Sequence, residues 1–301
     1  METSLRDTIR EIVRVHLAKG NLAFGQCLTA VGWVGGTLPE MYESDGMVEL
    51  PMADVAGGGF VVGAALVNKR PIYIIRYQGF NWYNGISIVN YACKSKEIWN
   101  IPCPIFIRSI AMEGSIGPVA GSSHHSLFHR MPGIKIYSPM TPNEYIQSYN
   151  DFIQDDSVYY ISEHRGAYNN QQEFLDIDYA CPDIVLFPIS ITRFATVEAS
   201  TELLEKYNIK ASVFHQFILK PYNIHNNWIS SLKIAKKGIV LDDDYPDGIA
   251  STLCNKLSLA SNIGDISPLG LKNKSAGFAR HLDNLPPTKE EIIQCVLQKL
   301  K

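Results

Sequence analysis

The chain of 301 residues is long enough for one large or two medium-sized domains with a substantial buried core. Hydrophobic residues make up 46% and charged residues 19%, a composition that excludes a largely disordered chain. The formal net charge is −3 and no run of lysine or arginine stands out, so we expect no nucleic-acid partner. The chain has six scattered cysteines without a CxxC pair, no signal-peptide pattern and no apolar stretch of about 20 residues. These features favour a cytoplasmic protein that spans no membrane.

The first part of the chain alternates between strand and helix patterns. An amphipathic helix begins after Ser4, and a short strand at 21–28 leads into a glycine-rich loop, VGWVGG. Further strands are predicted at 70–77, 101–110, 133–139 and 158–163, with helices at 61–69, at 80–99 and from Thr141. Strands that alternate with helices in this way predict a parallel sheet covered on both faces.

A second unit follows a polar, irregular segment at 164–190, which we interpret as a linker. The alternation then restarts with SITRFAT and ends in a helix from Thr288, whose spacing to Glu291 is that of a capping box. We therefore predict an α/β fold of two domains, residues 1–187 and 188–301, each a mostly parallel sheet flanked by helices.

One carboxylate stands out in the stretch PMADVAGGGFVVGAAL at 51–66. Asp54 precedes three glycines, which allow close backbone approach, and a helix that begins there offers unpaired N–H groups. A simple helix N-cap beside tightly packed glycines is the alternative to a functional role. The segment fits neither a P-loop nor GxGxxG.

Paired histidines occur in GSIGPVAGSSHHSLFHRMPG at 114–133. His124 and His125, with His129 four residues on, have no Glu or Cys at zinc spacing nearby, so we predict no metal site there. A glycine- and serine-rich loop with histidines after a strand is typical of α/β active sites, although a surface loop is also open.

Three consecutive carboxylates, at 242–244, follow another apolar strand. They are compatible with a Mg²⁺ site, but a solvated strand end needs no partner residues and is the preferred interpretation.

Four stretches, in order, resemble one known family. These are ELPMADVAGGGFVVGAAL, RPIYIIRYQGFNWYNGISIVNYACK, GPVAGSSHHSLFHRMPGIKIYSPMTPNEY and GIVLDDDYPDGIASTL. They are similar to segments of the β subunits of thiamine diphosphate-dependent 2-oxoacid dehydrogenases and of the C-terminal half of transketolases. The resemblance covers nearly the whole chain and implies a pyrimidine-binding domain at 1–187 and a transketolase-type C-terminal domain at 188–301.

The resemblance also implies roles for individual residues. In this family a carboxylate bonds a ring nitrogen of the cofactor's aminopyrimidine and thereby activates thiamine diphosphate, and its position matches Asp54. The aromatic side chain that stacks on the pyrimidine matches Phe80, and Tyr77 and Gln26 are expected to line the same pocket. His124 or His125 is expected to orient substrate or to move protons.

Three departures from the family pattern concern the site. The family's glutamate is here Asp54, which is shorter by roughly 1.5 Å of reach. The family's loop histidine falls on Ala120, and an acid often found after the first strand's glycine is here Gln26. A misplacement of about 1 Å can cost on the order of 100-fold in rate, so these changes bear on the chemistry.

The Mg²⁺–diphosphate motif of such enzymes, Gly-Asp-Gly … Asn, has no match in the chain. The nearest segment is Gly264-Asp265-Ile266. By the resemblance, a separate α-type subunit holds Mg²⁺ and the diphosphate, and the assembly is a heterotetramer with two copies of each chain.

The resemblance thus predicts the pyrimidine-binding subunit of a split enzyme that cleaves a 2-oxo acid or ketose. The two-carbon or acyl fragment passes to an acceptor: a lipoyl carrier, a sugar aldehyde or a second carbonyl compound. Two alternatives remain open: a structural or regulatory partner subunit without catalysis, and an unrelated two-domain α/β ligand binder.

Overall fold

The computed structural model describes residues 3–113, residue 117 and residues 121–301. In chain order, the strands of this part are β1 (Ala23–Gly25), β2 (Met47–Glu49), β3 (Ile72–Ile75), β4 (Phe106–Ala111), β5 (Ile134–Tyr137), β6 (Val158–His164), β7 (Ile184–Pro188), β8 (Ala211–Val213), β9 (Ile218–Lys220), β10 (Gly238–Leu241) and β11 (Ile266–Leu269). The helices are α1 (Leu5–Ala18), α2 (Ala30–Gly36), α3 (Asp54–Leu66), α4 (Asn81–Ser87), α5 (Cys93–Trp99), α6 (Pro142–Gln154), α7 (Thr192–Tyr207), α8 (Asn226–Ala235), α9 (Ile249–Ser261) and α10 (Lys289–Leu300).

Seven strands form the first sheet, in the order β2-β1-β3-β4-β6-β5-β9. Neighbouring strands run parallel except β5 and β9, which are antiparallel. In β3, Tyr73 and Ile75 pack into one core cluster, whereas Ile72 and Ile74 pack into another. Both faces of the sheet are therefore buried, which explains why β3 is a continuous apolar run in the sequence.

Four parallel strands form the second sheet, in the order β11-β10-β7-β8. Val185 of β7 and Val240 of β10 belong to the same core cluster as Tyr73 of the first sheet, so one apolar core continues between the two sheets. The predicted α/β fold of two mostly parallel sheets flanked by helices is confirmed.

The segment between the sheets differs from the sequence interpretation. Residues 164–190 are not all linker, because β7 lies within them, and the predicted domain boundary at 187 falls inside this strand. The stretch SITRFAT, with which the alternation of strand and helix was predicted to restart, instead contains the beginning of α7, at Thr192. The buried positions of α7 include Thr192, Thr196 and Ala199, which recur at helical spacing. Packing of this helical face overrides the strand preference of the β-branched residues.

The predicted glycine-rich loop VGWVGG forms most of α2, with an unusual backbone. Residues 31–35 all have positive φ, between 53° and 66°, so that this turn is left-handed. A left-handed turn costs roughly 1–2 kcal/mol for each non-glycine residue, and Val31, Trp33 and Val34 all adopt it.

Among the helices of the described part, none combines the length and the apolar character needed to cross a lipid bilayer.

Candidate functional site

A mostly apolar cavity of about 150 Å³ lies where β1 and β3 end and α3 begins. It is lined by Gln26, Cys27, Met52, Asp54, Tyr73, Ile74, Ile75, Arg76, Tyr77, Phe80 and Asn84. β1 and β3 are parallel neighbours, so the residues after their carboxyl ends meet at one edge of the sheet. This edge is where open α/β sheets generally bind ligands.

Asp54 supplies the carboxylate of the cavity. It is the first residue of α3, and the N-cap is Ala53, so Asp54 is not the N-cap that the alternative interpretation expected. Its Oδ1 accepts hydrogen bonds from Gln26 Nε2 at 3.1 Å and from Asn84 Nδ2 at 2.9 Å. No described residue donates to Oδ2, so one carboxylate oxygen is held by two amides while the other can accept a hydrogen bond from a ligand.

Asn84 is the site residue that sequence reasoning missed. Its Nδ2 also donates to the Phe80 carbonyl at 3.0 Å, and its Oδ1 accepts a hydrogen bond from the Tyr73 hydroxyl. Burial, reinforced by the charge of Asp54, raises the pKa of Tyr73 and keeps that hydroxyl protonated as a donor. The sequence does contain a signal for Asn84, because it lies four residues, about one helical turn, after Phe80 and therefore on the same side of the predicted helix.

The glycines after Asp54 allow α3 to approach its neighbours closely. A Cβ on Gly58 would lie 2.4 Å from the backbone oxygen of Asn84, and one on Gly57 would lie 2.9 Å from the Tyr73 hydroxyl. Because the first of these atoms is backbone and cannot move aside easily, a side chain at position 58 would push α3 away from α4. The close approach keeps Asp54 within reach of Asn84.

Two aromatic rings form an apolar wall of the cavity. The centroids of Tyr77 and Phe80 lie 6.0 Å apart with ring planes at 52°, and the Arg76 guanidinium lies 5.6 Å from the Tyr77 centroid. A cavity that combines an apolar wall with a fixed carboxylate suits a flat, nitrogen-containing ring.

Four of the residues singled out in the sequence therefore meet in one cavity: Asp54, Phe80, Tyr77 and Gln26. His124 and His125 do not line it. The sequence position matched to the family's loop histidine, Ala120, lies outside the described residues.

His125 is fully buried between the two sheets. Its Nε2 lies 2.9 Å from Asp242 Oδ1 and its Nδ1 lies 3.1 Å from Ser162 Oγ. Burial opposes the imidazolium charge, but the combined attraction of Asp242, Asp244 and Asp243 outweighs it and raises the pKa of His125 to about 10. His124 is stacked near Tyr245, with ring centroids 6.4 Å apart, and burial lowers its pKa.

The three carboxylates at 242–244 are not a solvated strand end, as the sequence suggested. All are buried, because β10 ends in the interior, where donors from other segments meet them. Asp243 Oδ2 accepts hydrogen bonds from Ser123 Oγ at 2.6 Å and Ser190 Oγ at 2.9 Å, and Asp244 Oδ2 accepts one from the Ser126 N–H at 2.9 Å. Burial raises the pKa of Asp243 to about 6, although His125 opposes the shift.

Large apolar side chains are exposed on the two helices that frame the cavity. We call this surface the α3–α4 face, and it consists of Val55, Phe60, Trp82, Tyr83 and Ile86. Phe60 and Trp82 are each 62% exposed. Clustered exposure of this kind marks an interaction surface more often than an ordinary solvated one.

Comparison with known proteins identifies the family. Residues 21–171, half of the chain, match the family described as "Transketolase, pyrimidine binding domain". The chain is 26% identical over 242 residues to the 2-oxoisovalerate dehydrogenase subunit beta of Bacillus subtilis (strain 168), covering 73% of this chain and 72% of that protein. It is also 26% identical over 255 residues to the pyruvate dehydrogenase E1 component subunit beta of Porphyra purpurea, covering 76% and 75% of the two chains.

Two solved structures share the fold. One is described as "Split gene transketolase, inactive beta4 tetramer"; it aligns with a TM-score of 0.76 at 16% identity and covers 100% of this chain and 99% of its own. The other is transketolase from Campylobacter jejuni subsp. jejuni NCTC 11168, with a TM-score of 0.74 at 15% identity over 98% of this chain and 46% of its own. The resemblance drawn from the motifs is confirmed. The chain belongs to the transketolase pyrimidine-binding family, together with the β subunits of 2-oxoacid dehydrogenases.

Proposed function

We propose that the chain is the pyrimidine-binding, catalytic subunit of a split thiamine diphosphate enzyme. Its reaction would cleave a 2-oxo acid or a ketose and transfer the acyl or two-carbon fragment to an acceptor. The observation that carries the proposal is Asp54, whose Oδ1 is held by Gln26 and Asn84 while its Oδ2 accepts nothing from the described residues. Thiamine diphosphate, when bound, supplies the carbon nucleophile that attacks a carbonyl group.

The residues of the cavity fit the aminopyrimidine end of this cofactor. Asp54 would accept a hydrogen bond from the ring nitrogen, and Phe80 would offer its face to the ring, with Tyr77 beside it. Gln26 and Asn84 would keep the carboxylate from rotating. A fixed acceptor is effective because little reorganisation is needed when the ring nitrogen gains its proton.

We further propose an α-type partner that holds the diphosphate and Mg²⁺, in an assembly with two copies of each chain. Two observations support this: the α3–α4 face exposes large apolar side chains next to the cavity, and two relatives are named as β subunits. A partner seated on this face would also close the cavity against water, which strengthens the hydrogen bond to Asp54.

The test is coexpression with the product of a neighbouring α-type gene, followed by an assay of 2-oxo acid and ketose consumption. We expect turnover by the reconstituted complex and its loss in Asp54→Ala. If Asp54→Ala leaves activity unchanged while the complex stays intact, the catalytic assignment fails.

A second candidate is a structural or regulatory partner subunit without catalysis. One observation favours it: neither His124 nor His125 lines the cavity, although the resemblance gave them a role with substrate. An intact, cofactor-loaded complex without turnover in the same assay, on any 2-oxo acid or ketose offered, favours this candidate.

A further inference from the structure

Three side chains of metal-ligand type meet in the interior, away from the cavity. One ligand atom each of His125, Asp242 and Asp243 can be chosen so that all three lie within 4.8 Å of one another. The three residues are 0%, 0% and 1% exposed. His125 comes from the segment before β5 and the two aspartates follow β10, so the cluster joins the first unit of the fold to the second sheet.

Two oxygens of this cluster have no hydrogen-bond partner among the described residues: Asp242 Oδ2 and Asp243 Oδ1. Both are buried, and a buried carboxylate oxygen without a donor or cation is strongly unfavourable. The other oxygen of Asp243 is fully engaged by Ser123 and Ser190. Each aspartate is thus fixed through one oxygen and leaves the second without a partner.

The position of His125 fits a metal ligand as well. Its Nε2 lies 2.9 Å from Asp242 Oδ1, and two ligands of a tetrahedral ion with bonds of roughly 2.1 Å lie about 3.4 Å apart, so the ring and the carboxylate need to separate by only about 0.5 Å to share an ion. Its Nδ1 lies 3.1 Å from Ser162 Oγ. Metal-bound histidines usually donate their other ring N–H to such a fixed acceptor, which orients the ring.

The surrounding charge favours a cation. Asp244 Oδ2 is also buried and lies 3.9 Å from His125 Nε2, so that three carboxylates surround one imidazole. A divalent ion balances this excess of negative charge and, on binding, takes the place of the proton on His125 Nε2, which is released to solvent. One imidazole nitrogen with carboxylate oxygens suits Zn²⁺ and similar transition-metal ions better than Mg²⁺ or Ca²⁺, which prefer oxygen ligands alone.

We propose that His125, Asp242 and Asp243 bind one divalent transition-metal ion, Zn²⁺ by preference, which fastens the His125 segment to the second sheet. This ion is separate from the Mg²⁺ proposed for the diphosphate in the partner subunit. Ser162 links the site to the cavity, because Ser162 Oγ also accepts a hydrogen bond from Gln78, which precedes Phe80 by two residues.

The test uses the purified full chain, stripped with a chelator and dialysed, without cofactor or partner. Zn²⁺ alone is then added, and both bound zinc and the thermal unfolding midpoint are measured. We expect one zinc per chain and a rise of about 5 °C in Tm at saturating zinc, because an ion that binds only the folded chain stabilises it.

Two variants test whether the bound zinc and the rise in Tm arise at this site. Asp243→Asn removes a charged ligand at nearly constant shape and is expected to abolish both the bound zinc and the rise in Tm. Asp247→Asn changes an exposed carboxylate of the same turn and is expected to keep both. If Asp243→Asn does not fold, His125→Gln takes its place.

The proposal is overturned if the stripped wild-type chain binds no zinc and its Tm does not change. It is also overturned if Asp243→Asn raises Tm in the absence of metal while zinc does not raise the Tm of the wild type. In that case a proton on Asp243, and not a metal ion, neutralises the cluster. Zinc bound equally well by Asp243→Asn places the metal elsewhere and contradicts the site. None of these results depends on thiamine diphosphate, so the proposed function can fail or hold independently.

Discussion

The amide of Asn84 donates to Oδ1 of Asp54 at 2.9 Å, and this bond connects the start of α3 to the middle of α4. The same amide group is fixed by the Phe80 carbonyl and the Tyr73 hydroxyl. The chain therefore holds the carboxylate of an aspartate, which is shorter than a glutamate, at a defined depth in the cavity. We infer that the site is built around an aspartate, and that this residue is not merely a shortened glutamate.

Asp54→Glu is therefore expected to lower activity. The extra methylene displaces the carboxylate by more than about 1 Å from the position set by Gln26 and Asn84, and we expect kcat/KM to fall about 100-fold. Asp54→Asn keeps the length of the side chain but removes the charge that holds the proton of the ring nitrogen, and it should cost at least as much. Steady-state kinetics of the reconstituted complex measure both. An increase in kcat/KM for Asp54→Glu contradicts the idea of a site built around aspartate.

Cofactor binding is expected to protect Cys27 from alkylation. Cys27 is exposed and lines the cavity, whereas Cys181 is exposed but does not line it. At a thiamine diphosphate concentration ten times Kd, the labelling rate of Cys27 should fall about tenfold, because roughly a tenth of the sites remain free. Mass spectrometry of the labelled peptides gives both rates in one sample. Equal labelling of Cys27 with and without cofactor, or equal protection of Cys181, argues against the cavity as the binding site.

Trp82→Asp is expected to weaken association with the proposed α-type partner about 100-fold. The side chain belongs to the α3–α4 face, and a carboxylate buried there without a counter-charge is strongly unfavourable. The matched control is Leu259→Asp, since Leu259 of α9 is 77% exposed and lies outside this face. Both variants should keep the Tm of the isolated chain. Analytical ultracentrifugation reports the assembly, and equal weakening by both changes would argue against a specific role for the face.

Stability is expected to fall as the pH drops from about 6.5 to about 4, in part because of His16. The residue is buried, with Nδ1 2.9 Å from the Tyr149 hydroxyl, and burial lowers its pKa from 6.5 to about 4, with Lys19 and Arg70 adding to the effect. The unfolded chain therefore takes up this proton first as the pH falls. The expected loss in the free energy of unfolding is about 3 kcal/mol, complete below pH 4.

Denaturant unfolding at several pH values measures this loss. His16→Gln should flatten the dependence between pH 6.5 and pH 4, whereas His281→Gln, at an exposed position, should leave it as in the wild type. An unchanged slope in His16→Gln would mean that other groups account for the acid sensitivity.

Much of the cavity could be predicted from the sequence, because its parts follow local rules. Gln26 and Tyr77 come just after apolar strands, and Asp54 begins a helix opened by glycines. In a parallel sheet those three positions converge at one edge. Asn84 could also have been found, from its helical spacing to Phe80.

The contacts between distant segments could not be predicted. His125 and Asp242 are 117 residues apart in the sequence, and nothing in either segment signals that they meet. In the sequence, the aspartates after β10 resemble a solvent-exposed strand end, and only the packing of the two sheets shows that they are buried. β7 was hidden for a different reason: its five residues, IVLFP, form a short apolar run in a stretch that is otherwise polar.

The most direct measurement of the central claim is a comparison of thiamine diphosphate with an analogue in which carbon replaces the pyrimidine ring nitrogen that Asp54 is proposed to bond. Both compounds are titrated by calorimetry into the complex of this chain with the proposed α-type partner, as wild type and as Asp54→Asn. We predict that the analogue binds the wild type about 10- to 100-fold more weakly than thiamine diphosphate, as expected for loss of a hydrogen bond to a charged group. We also predict that this difference largely disappears in Asp54→Asn. The same ratio of affinities in both proteins would contradict a bond between Asp54 and the cofactor.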